Sequence, residues 1–301
     1  MRRFQETDQF WSEAFAIQGS VSPRIAVVGS IFVLISLVIC VVDSLIHPEV
    51  GVDVAPYEVA GAALGLLLVL RTNAGYDRWW EGRKLWGGIV NQSRTLAITA
   101  IAHGPDDPEW RSQLLRWTAA FGHVCRHSLR FERDLPKVAS LVGEEEATRI
   151  AAAHHMPTAV SLRIAALLHE AAESGHLDRF AFHLAEQARN QLIDHIGGCE
   201  RILKSPLPRV YGINIRRFIV LFLTTLPFAL LPKIGWLTPL ATALVAYPIL
   251  SLDRIGVELQ NPFSRERVGH LPLDEISMTI EGDLLALIEK DDLLPKLPPT
   301  G

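Results

Sequence analysis

The sequence predicts an all-α integral membrane protein, in which apolar helices cross the membrane and a large helical domain lies outside it. Its 301 residues are 49% hydrophobic and 21% charged, and the mean hydropathy is +0.21. This composition is too apolar for an ordinary soluble domain and too charged for a bundle of membrane helices alone. The formal net charge of −4 also argues against a nucleic-acid-binding protein, which needs a broad basic surface.

Four apolar segments predict four membrane helices. The first, 25–46, carries one charge, Asp43, and is long enough for a bilayer core that needs about 20 apolar residues. The second, 54–70, is shorter, so its start either lies at the membrane interface or lines a wet cavity. The last two, 218–231 and 236–252, contain prolines, which kink membrane helices without preventing them.

The positive charges beside these segments predict their orientation. Arg and Lys residues cluster next to four of the segment ends, whereas the 47–56 loop has none and the second hairpin has only Lys233. By the positive-inside rule, both chain termini lie in the cytosol. The predicted parts are a cytosolic N-terminal segment (1–24), a first membrane hairpin (25–71), a cytosolic helical domain (72–215), a second hairpin (216–254) and a cytosolic C-terminal segment (255–301).

The predicted cytosolic domain has helical periodicity. Apolar positions in 110–125 recur every three or four residues, which predicts a helix that buries one face. Similar patterns predict helices over 158–174 and 184–203, and proline-containing segments separate them.

Cysteine usage and the N-terminus indicate the compartment. Cys40, Cys125 and Cys199 are widely spaced and odd in number, which predicts reduced thiols. No small-residue cleavage site follows the first apolar run, so we expect no removable signal peptide. The predicted location is the bacterial inner (plasma) membrane.

Three stretches carry a resemblance to a known family. An Arg- and Trp-rich segment, 71–86, follows the second apolar run and leads into 87–97, and 197–208 and 261–263 follow in the same order as in that family. The chain resembles the bestrophin family, and its prokaryotic branch in particular. The resemblance implies a ring-shaped homopentamer with four transmembrane helices per subunit, a helical cytosolic domain and one axial pore. It also implies membrane lipids and monovalent ions as partners. We expect no cofactor and no enzymatic activity, because the sequence has no HExxH motif, no phosphate-binding P-loop and no G-x-S-x-G motif.

The second apolar segment matches the hydrophobic neck of that family's pore. Ala62, Leu66 and Leu70 are spaced four residues apart and share one helix face. An apolar ring of this kind gates by dewetting. Without the resemblance, a lipid or helix–helix face is the ordinary interpretation. The family's second constriction is expected at Phe180, for which a place in the hydrophobic core is the alternative.

Acidic residues surround the first extracellular hairpin, with no basic residue among them. In a pentamer they predict a negative outer vestibule that concentrates cations. Cation conduction is therefore favoured over the alternative, an anion channel of the same fold. The vestibule residues are Asp43, Glu49, Asp53 and Glu58.

The segment that follows the second apolar run suits the cytosolic membrane interface. Arg78, Trp79 and Trp80 are interpreted as anchors, because indole rings settle at headgroup level and arginine reaches phosphates. Asn73, Tyr76 and Asp77 are expected to bond and position neighbouring helices.

Two possible metal sites are not supported by the sequence. Animal members of the family carry a calcium-binding acidic run after Asn-Pro-Phe, but here the residues 264–267 after Phe263 hold one Glu between two Arg, so we predict no calcium gating. His123 and His127 have a metal-binding spacing but no clear third ligand. A membrane-anchored scaffold or signalling protein is the remaining alternative.

Overall fold

A computed structural model of the chain describes residues 10–17, 19–46 and 52–289, and within these the regular secondary structure is entirely helical. This confirms the predicted all-α class. A short 3-10 turn, Gly235–Leu237, joins the ninth and tenth α-helices. The α-helices, in chain order, are α1 (Phe10–Ala14), α2 (Ser22–Ile46), α3 (Ala55–His103), α4 (Pro108–Leu129), α5 (Pro136–Val142), α6 (Glu144–Ala152), α7 (Met156–Glu173), α8 (Arg179–Lys204), α9 (Arg209–Ile234), α10 (Thr238–Glu258) and α11 (Leu273–Glu289).

The described residues divide into two compact units. The apolar unit comprises the described residues up to Trp79 together with Pro206–His270. The helical unit comprises Trp80–Ser205 and the described residues from Leu271 onwards. The division follows packing, so the membrane boundaries inferred from the charges stay predictions.

Three stretches of the described residues are long and apolar enough to cross a membrane: Ser22–Ile46, Ala55–His103 and Arg209–Glu258. The last stretch contains α9, of 26 residues, and α10, of 21 residues. They are separated at Gly235, whose φ of 53° lies in the left-handed region that favours glycine. α9 continues through Pro227 and α10 through Pro248, as expected from the sequence.

α3 is a single helix of 49 residues and extends well beyond the second apolar run. The predicted start of the cytosolic domain at residue 72 therefore falls inside a continuous helix. Pro56 lies in the first turn, where its missing N–H breaks no hydrogen bond. The next proline is Pro105, just after the helix ends, so no proline interrupts it.

The core of the apolar unit lies between α2, α3, α9 and α10. Leu64 and Leu68 of α3 are fully buried and belong to a cluster that includes Phe32 of α2 and Leu223 of α9. Because α-helical residues four apart share a face, this core contact fixes which face of α3 points away from it.

α4 is the centre of the helical unit. Every residue from Trp117 to His127 is buried, so the prediction that this helix buries only one face is wrong. The physical reason is that α5, α7 and α11 all pack on α4. α11 was not predicted as a helix, and it supplies one of these neighbours.

Charged side chains join α4 to α11. The His123 ring is buried, and its Nε2 lies 2.6 Å from Glu281 Oε2. Arg126 and Arg130 each donate to Asp274, at 2.8 Å. His127 Nδ1 lies 3.0 Å from Glu132 Oε2. The two histidines with metal-binding spacing therefore pair with different carboxylates, His123 with Glu281 and His127 with Glu132.

We expect the helical unit to lose stability in mild acid. Burial, and then the positive charge of Arg126, lowers the pKa of His127 to about 4, against about 6.5 in an unfolded chain. As the pH falls between these values, the unfolded state binds a proton that the folded state does not, so the free energy of unfolding decreases, by at most about 3 kcal/mol. Burial also lowers the pKa of His123, against the opposing effect of Glu281, and so acts in the same direction.

Thermal unfolding of the detergent-solubilised protein at about pH 7.5 and about pH 5 measures this loss. His127→Gln should show a smaller acid-induced drop in the unfolding midpoint than the wild type. His183→Gln, at an exposed position of α8, should keep the wild-type drop. An equal drop in all three proteins would contradict the assignment.

The three cysteines are free and buried, in agreement with the predicted reduced thiols. Burial raises the pKa of Cys199 to about 12, so this thiol is inert at neutral pH.

Candidate functional site

The residues expected to form the neck share one exposed face of α3. Leu66 is 62% exposed and Leu70 51%, and Ala62 is also exposed. This face points away from the core contact made by Leu64 and Leu68. It is therefore available for neighbours outside the single chain, which a neck residue requires.

The same face is apolar in its middle and polar at both ends. Glu58 precedes the three apolar residues by one turn, and Asn73 and Asp77 follow them within two turns. All three polar residues are exposed. In the described part of the chain neither Asn73 nor Asp77 makes a side-chain hydrogen bond, and the Tyr76 ring stacks on Trp79 of the same helix, with 6.2 Å between ring centroids. The expectation that these three residues bond neighbouring helices is therefore wrong for the single chain. The helical spacing of Asn73 and Asp77 from Leu66 was the signal that placed them on this face.

The acids of the predicted outer vestibule lie at the end of α2 and the start of α3. Asp43 is half-buried, Asp53 and Glu58 are exposed, and Glu49 falls outside the described residues. Asp53 has an additional local role, because its Oδ1 accepts a hydrogen bond from the Ala55 N–H at 3.2 Å. A side-chain acceptor at this position satisfies a backbone donor that the first turn of a helix leaves free.

Two of the three predicted interface anchors hold a loop of the protein. Trp79 Nε1 donates to the Gly269 carbonyl at 2.7 Å, and Arg78 Nε donates to the Gln260 carbonyl at 3.2 Å. Neighbouring residues of α3 thus bind both ends of the segment 259–270, which we call the α10–α11 loop. Sequence reasoning missed this role, because no local sequence pattern indicates a contact between residues more than 180 positions apart. Trp80 is exposed.

The α10–α11 loop is also held by a buried carboxylate. Glu258 lies 3% exposed at the end of α10 and pairs with Arg24 of α2 and, at 2.8 Å, with Arg254. Its other oxygen accepts the Val268 N–H at 3.0 Å. Arg24 in turn donates to the Glu266 carbonyl at 2.9 Å.

These contacts bear on whether the segment that follows Asn-Pro-Phe can bind a metal ion. The Glu258 carboxylate is neutralised by arginines, and the Glu266 side chain is exposed. Among the described residues, no three His, Cys, Asp or Glu side chains converge on a possible metal position.

Phe180 is the second residue of α8, directly after the helix-capping Asp178. Its side chain is 82% exposed, so the alternative of a core role is wrong for the single chain. Asp178 Oδ1 accepts the Phe180 N–H at 2.8 Å, which fixes the backbone here and leaves the ring free to contact other molecules or subunits.

The sequence matches the family described as Bacterial/Fungal Bestrophin protein over residues 2–286. A voltage-dependent anion channel-forming protein of Nostoc sp. is 32% identical over 279 residues, covering 90% of this chain and 89% of the relative. A protein of the same description from Mesorhizobium japonicum is 33% identical over 268 residues, covering 89% of this chain and 86% of the relative.

Solved structures agree with these matches. A crystal structure of a bacterial bestrophin homolog from Klebsiella pneumoniae is 29% identical and has a TM-score of 0.82; the match covers 88% of this chain and 98% of that chain. Because sequence and fold agree over nearly the full length, the chain belongs to the bacterial and fungal bestrophin family of ion channels.

Proposed function

We propose that this chain assembles into a homopentameric channel for monovalent ions in a bacterial inner membrane. Each subunit crosses the membrane four times, through α2, the first part of α3, α9 and α10, with both termini in the cytosol. α9 and α10 count as separate crossings because each has about the 20 residues that a bilayer core requires. The Arg and Lys residues beside the proposed cytosolic ends of the membrane helices support this orientation.

The observation that carries the proposal is the exposed apolar face of α3 in a chain of this family. Ala62, Leu66 and Leu70 form the neck, where one side chain per subunit narrows the pore to an apolar ring. Water in such a ring loses hydrogen bonds that the wall does not replace, so the ring opposes ion passage until it widens or wets. Phe180 is the candidate for a second ring, supported by its exposure.

The favoured permeant ion is an anion such as chloride. The curated relatives are described as anion channel-forming proteins, and this outweighs the preference for cations drawn from the sequence. An apolar neck has no fixed charge of its own, so it is compatible with either ion.

Cation conduction is the second candidate, favoured by the acids at the outer mouth. Asp53 and Glu58 are exposed at the start of the helix that carries the neck. Repeated around a ring, they raise the local concentration of cations.

The reversal potential of purified protein in a planar bilayer under a KCl gradient separates the candidates. A shift toward the chloride equilibrium potential supports the anion channel, and a shift toward that of potassium supports the cation channel. Absence of current from intact pentamers, with the mass checked by light scattering, would favour the non-conducting scaffold.

Removing the acids should move the reversal potential toward that of chloride whichever ion the wild type prefers. We expect Asp53→Asn combined with Glu58→Gln to shift it in this direction, because the mouth loses two negative charges per subunit. Asn at residue 53 keeps the helix-capping acceptor. Glu144→Gln, at an exposed position of α6, removes a similar charge elsewhere and should leave the reversal potential unchanged; no shift in the double variant excludes the acids from selectivity.

A further inference from the structure

Arg71, the residue directly after Leu70, is buried in the apolar unit. Only 4% of its side chain is exposed. The side chain runs past two glycines, Gly212 of α9 and Gly256 of α10, at each of which an added Cβ would lie 3.5 Å from Arg71 atoms. Small residues on both neighbouring helices thus leave the space that this long side chain fills.

The buried guanidinium pairs with a single carboxylate. Asp253 of α10 accepts from Arg71 through Oδ1 and from Arg216 Nε of α9 through Oδ2, at 3.2 Å. Asp253 is 13% exposed, whereas Arg216 is 55% exposed. One side chain of α10 therefore ties together α3 and α9. A buried arginine requires such a counter-charge, so the ion pair with Asp253 holds the Arg71 side chain at this position.

Two further contacts hold α3 against α10 just below the neck. Thr72 Oγ1 approaches the Leu252 carbonyl at 3.4 Å. Gly75 faces Gly256 closely, because an added Cβ at Gly75 would lie 3.2 Å from the Gly256 carbonyl oxygen. The contacts extend over more than one turn of α3, so they restrict its rotation as well as its distance from α10.

We propose that Asp253 is a positioning residue of the channel: by holding Arg71 it sets the rotation of α3 that aims Leu66 and Leu70 at the pore. This inference rests on the proposed function of these leucines as the neck. In an α-helix the direction of each side chain follows from that of its neighbours, so fixing Arg71 fixes the preceding turn. In a ring, a small rotation of every subunit changes the width of the constriction.

The test compares Asp253→Asn in two backgrounds, the wild-type neck and a neck widened by Leu66→Ala and Leu70→Ala. Full-length channels are purified and recorded singly in bilayers, and their mass is checked by light scattering. With the wild-type neck we expect Asp253→Asn to change the ratio of open to closed time at least about tenfold. With the widened neck the change should be under about twofold, because the constriction through which Asp253 acts is no longer limiting.

Asp283→Asn is the matched control. Asp283 also pairs with an arginine, Arg94, but these side chains are 41% and 48% exposed and lie in the helical unit, so the same substitution should leave the ratio unchanged. If Asp253→Asn does not assemble, Arg71→Met with Asp253→Leu takes its place. This pair removes both buried charges, a change that proteins often tolerate. Arg216 also loses its carboxylate, but its side chain is 55% exposed and can be solvated.

The outcomes separate the inference from the proposed function. An equal effect of Asp253→Asn in both backgrounds, or no effect in either, overturns the positioning role while the neck stands. If the widened neck alone leaves unitary conductance unchanged, the proposed neck itself is wrong. Failure of both Asp253 variants to assemble would show that the carboxylate serves folding, and would also overturn the inference.

Discussion

Leu66→Ala and Leu70→Ala should each raise the unitary conductance at least about threefold. The rate of ion passage depends exponentially on the height of the barrier in the neck, and lowering that barrier by about 1.4 kcal/mol raises the rate tenfold. Each substitution shortens one side chain per subunit and thus acts five times around the proposed ring. A wider ring holds water more easily, which lowers the dewetting barrier to ions. Single-channel recording of purified protein measures the change directly.

Leu34→Ala on α2 is the matched control for these variants. Leu34 is 60% exposed, similar to Leu66, and the same atoms are removed, but α2 carries no proposed neck residue. We expect its unitary conductance to equal that of the wild type. If Leu66→Ala and Leu70→Ala also conduct like the wild type while remaining oligomeric, their face of α3 packs against lipid or protein and does not line the pore.

The residues expected to form the neck show what local sequence information predicts well. The four-residue spacing of Ala62, Leu66 and Leu70 predicted a shared helix face, and in the structure these residues do share one face, which is exposed. That result follows from helical geometry, which depends only on the residues being helical. The spacing does not say what covers the face, so the pore assignment depended on the family resemblance.

The contacts of Arg78 and Trp79 show what local information misses. Their interpretation as interface anchors followed from composition, whereas their hydrogen bonds reach carbonyls of the α10–α11 loop. Such contacts depend on how distant segments pack, and no periodicity within either segment encodes them. The burial of α4 was underestimated for the same reason, because the neighbours that cover its second face include α11, far along the chain.

Loss of the Glu258 carboxylate should destabilise the apolar unit more than any surface substitution. Glu258→Gln leaves Arg24 and Arg254 without their carboxylate partner. Breaking a buried ion pair from one side costs upwards of about 3 kcal/mol, and we expect the lower end because both arginines are about one-third exposed. For a chain of this size we expect the thermal unfolding midpoint in detergent to fall by roughly 5–10 °C. Glu258→Ala should fall further, because it also removes the acceptor of the Val268 N–H.

The difference between these two variants isolates the hold on the α10–α11 loop. Gln retains an oxygen for the Val268 N–H but carries no charge for Arg24. Glu258→Gln therefore keeps the direct bond from residue 258 to the loop, and Glu258→Ala loses it. Glu266→Gln is the control, since its exposed side chain lies in the same loop while its backbone carbonyl still accepts from Arg24. It should unfold like the wild type. A midpoint of Glu258→Gln equal to that of Glu266→Gln would mean that the arginines are adequately solvated without the Glu258 charge. If Glu258→Ala also unfolds like Glu266→Gln, the loop is held mainly by Arg78 and Trp79.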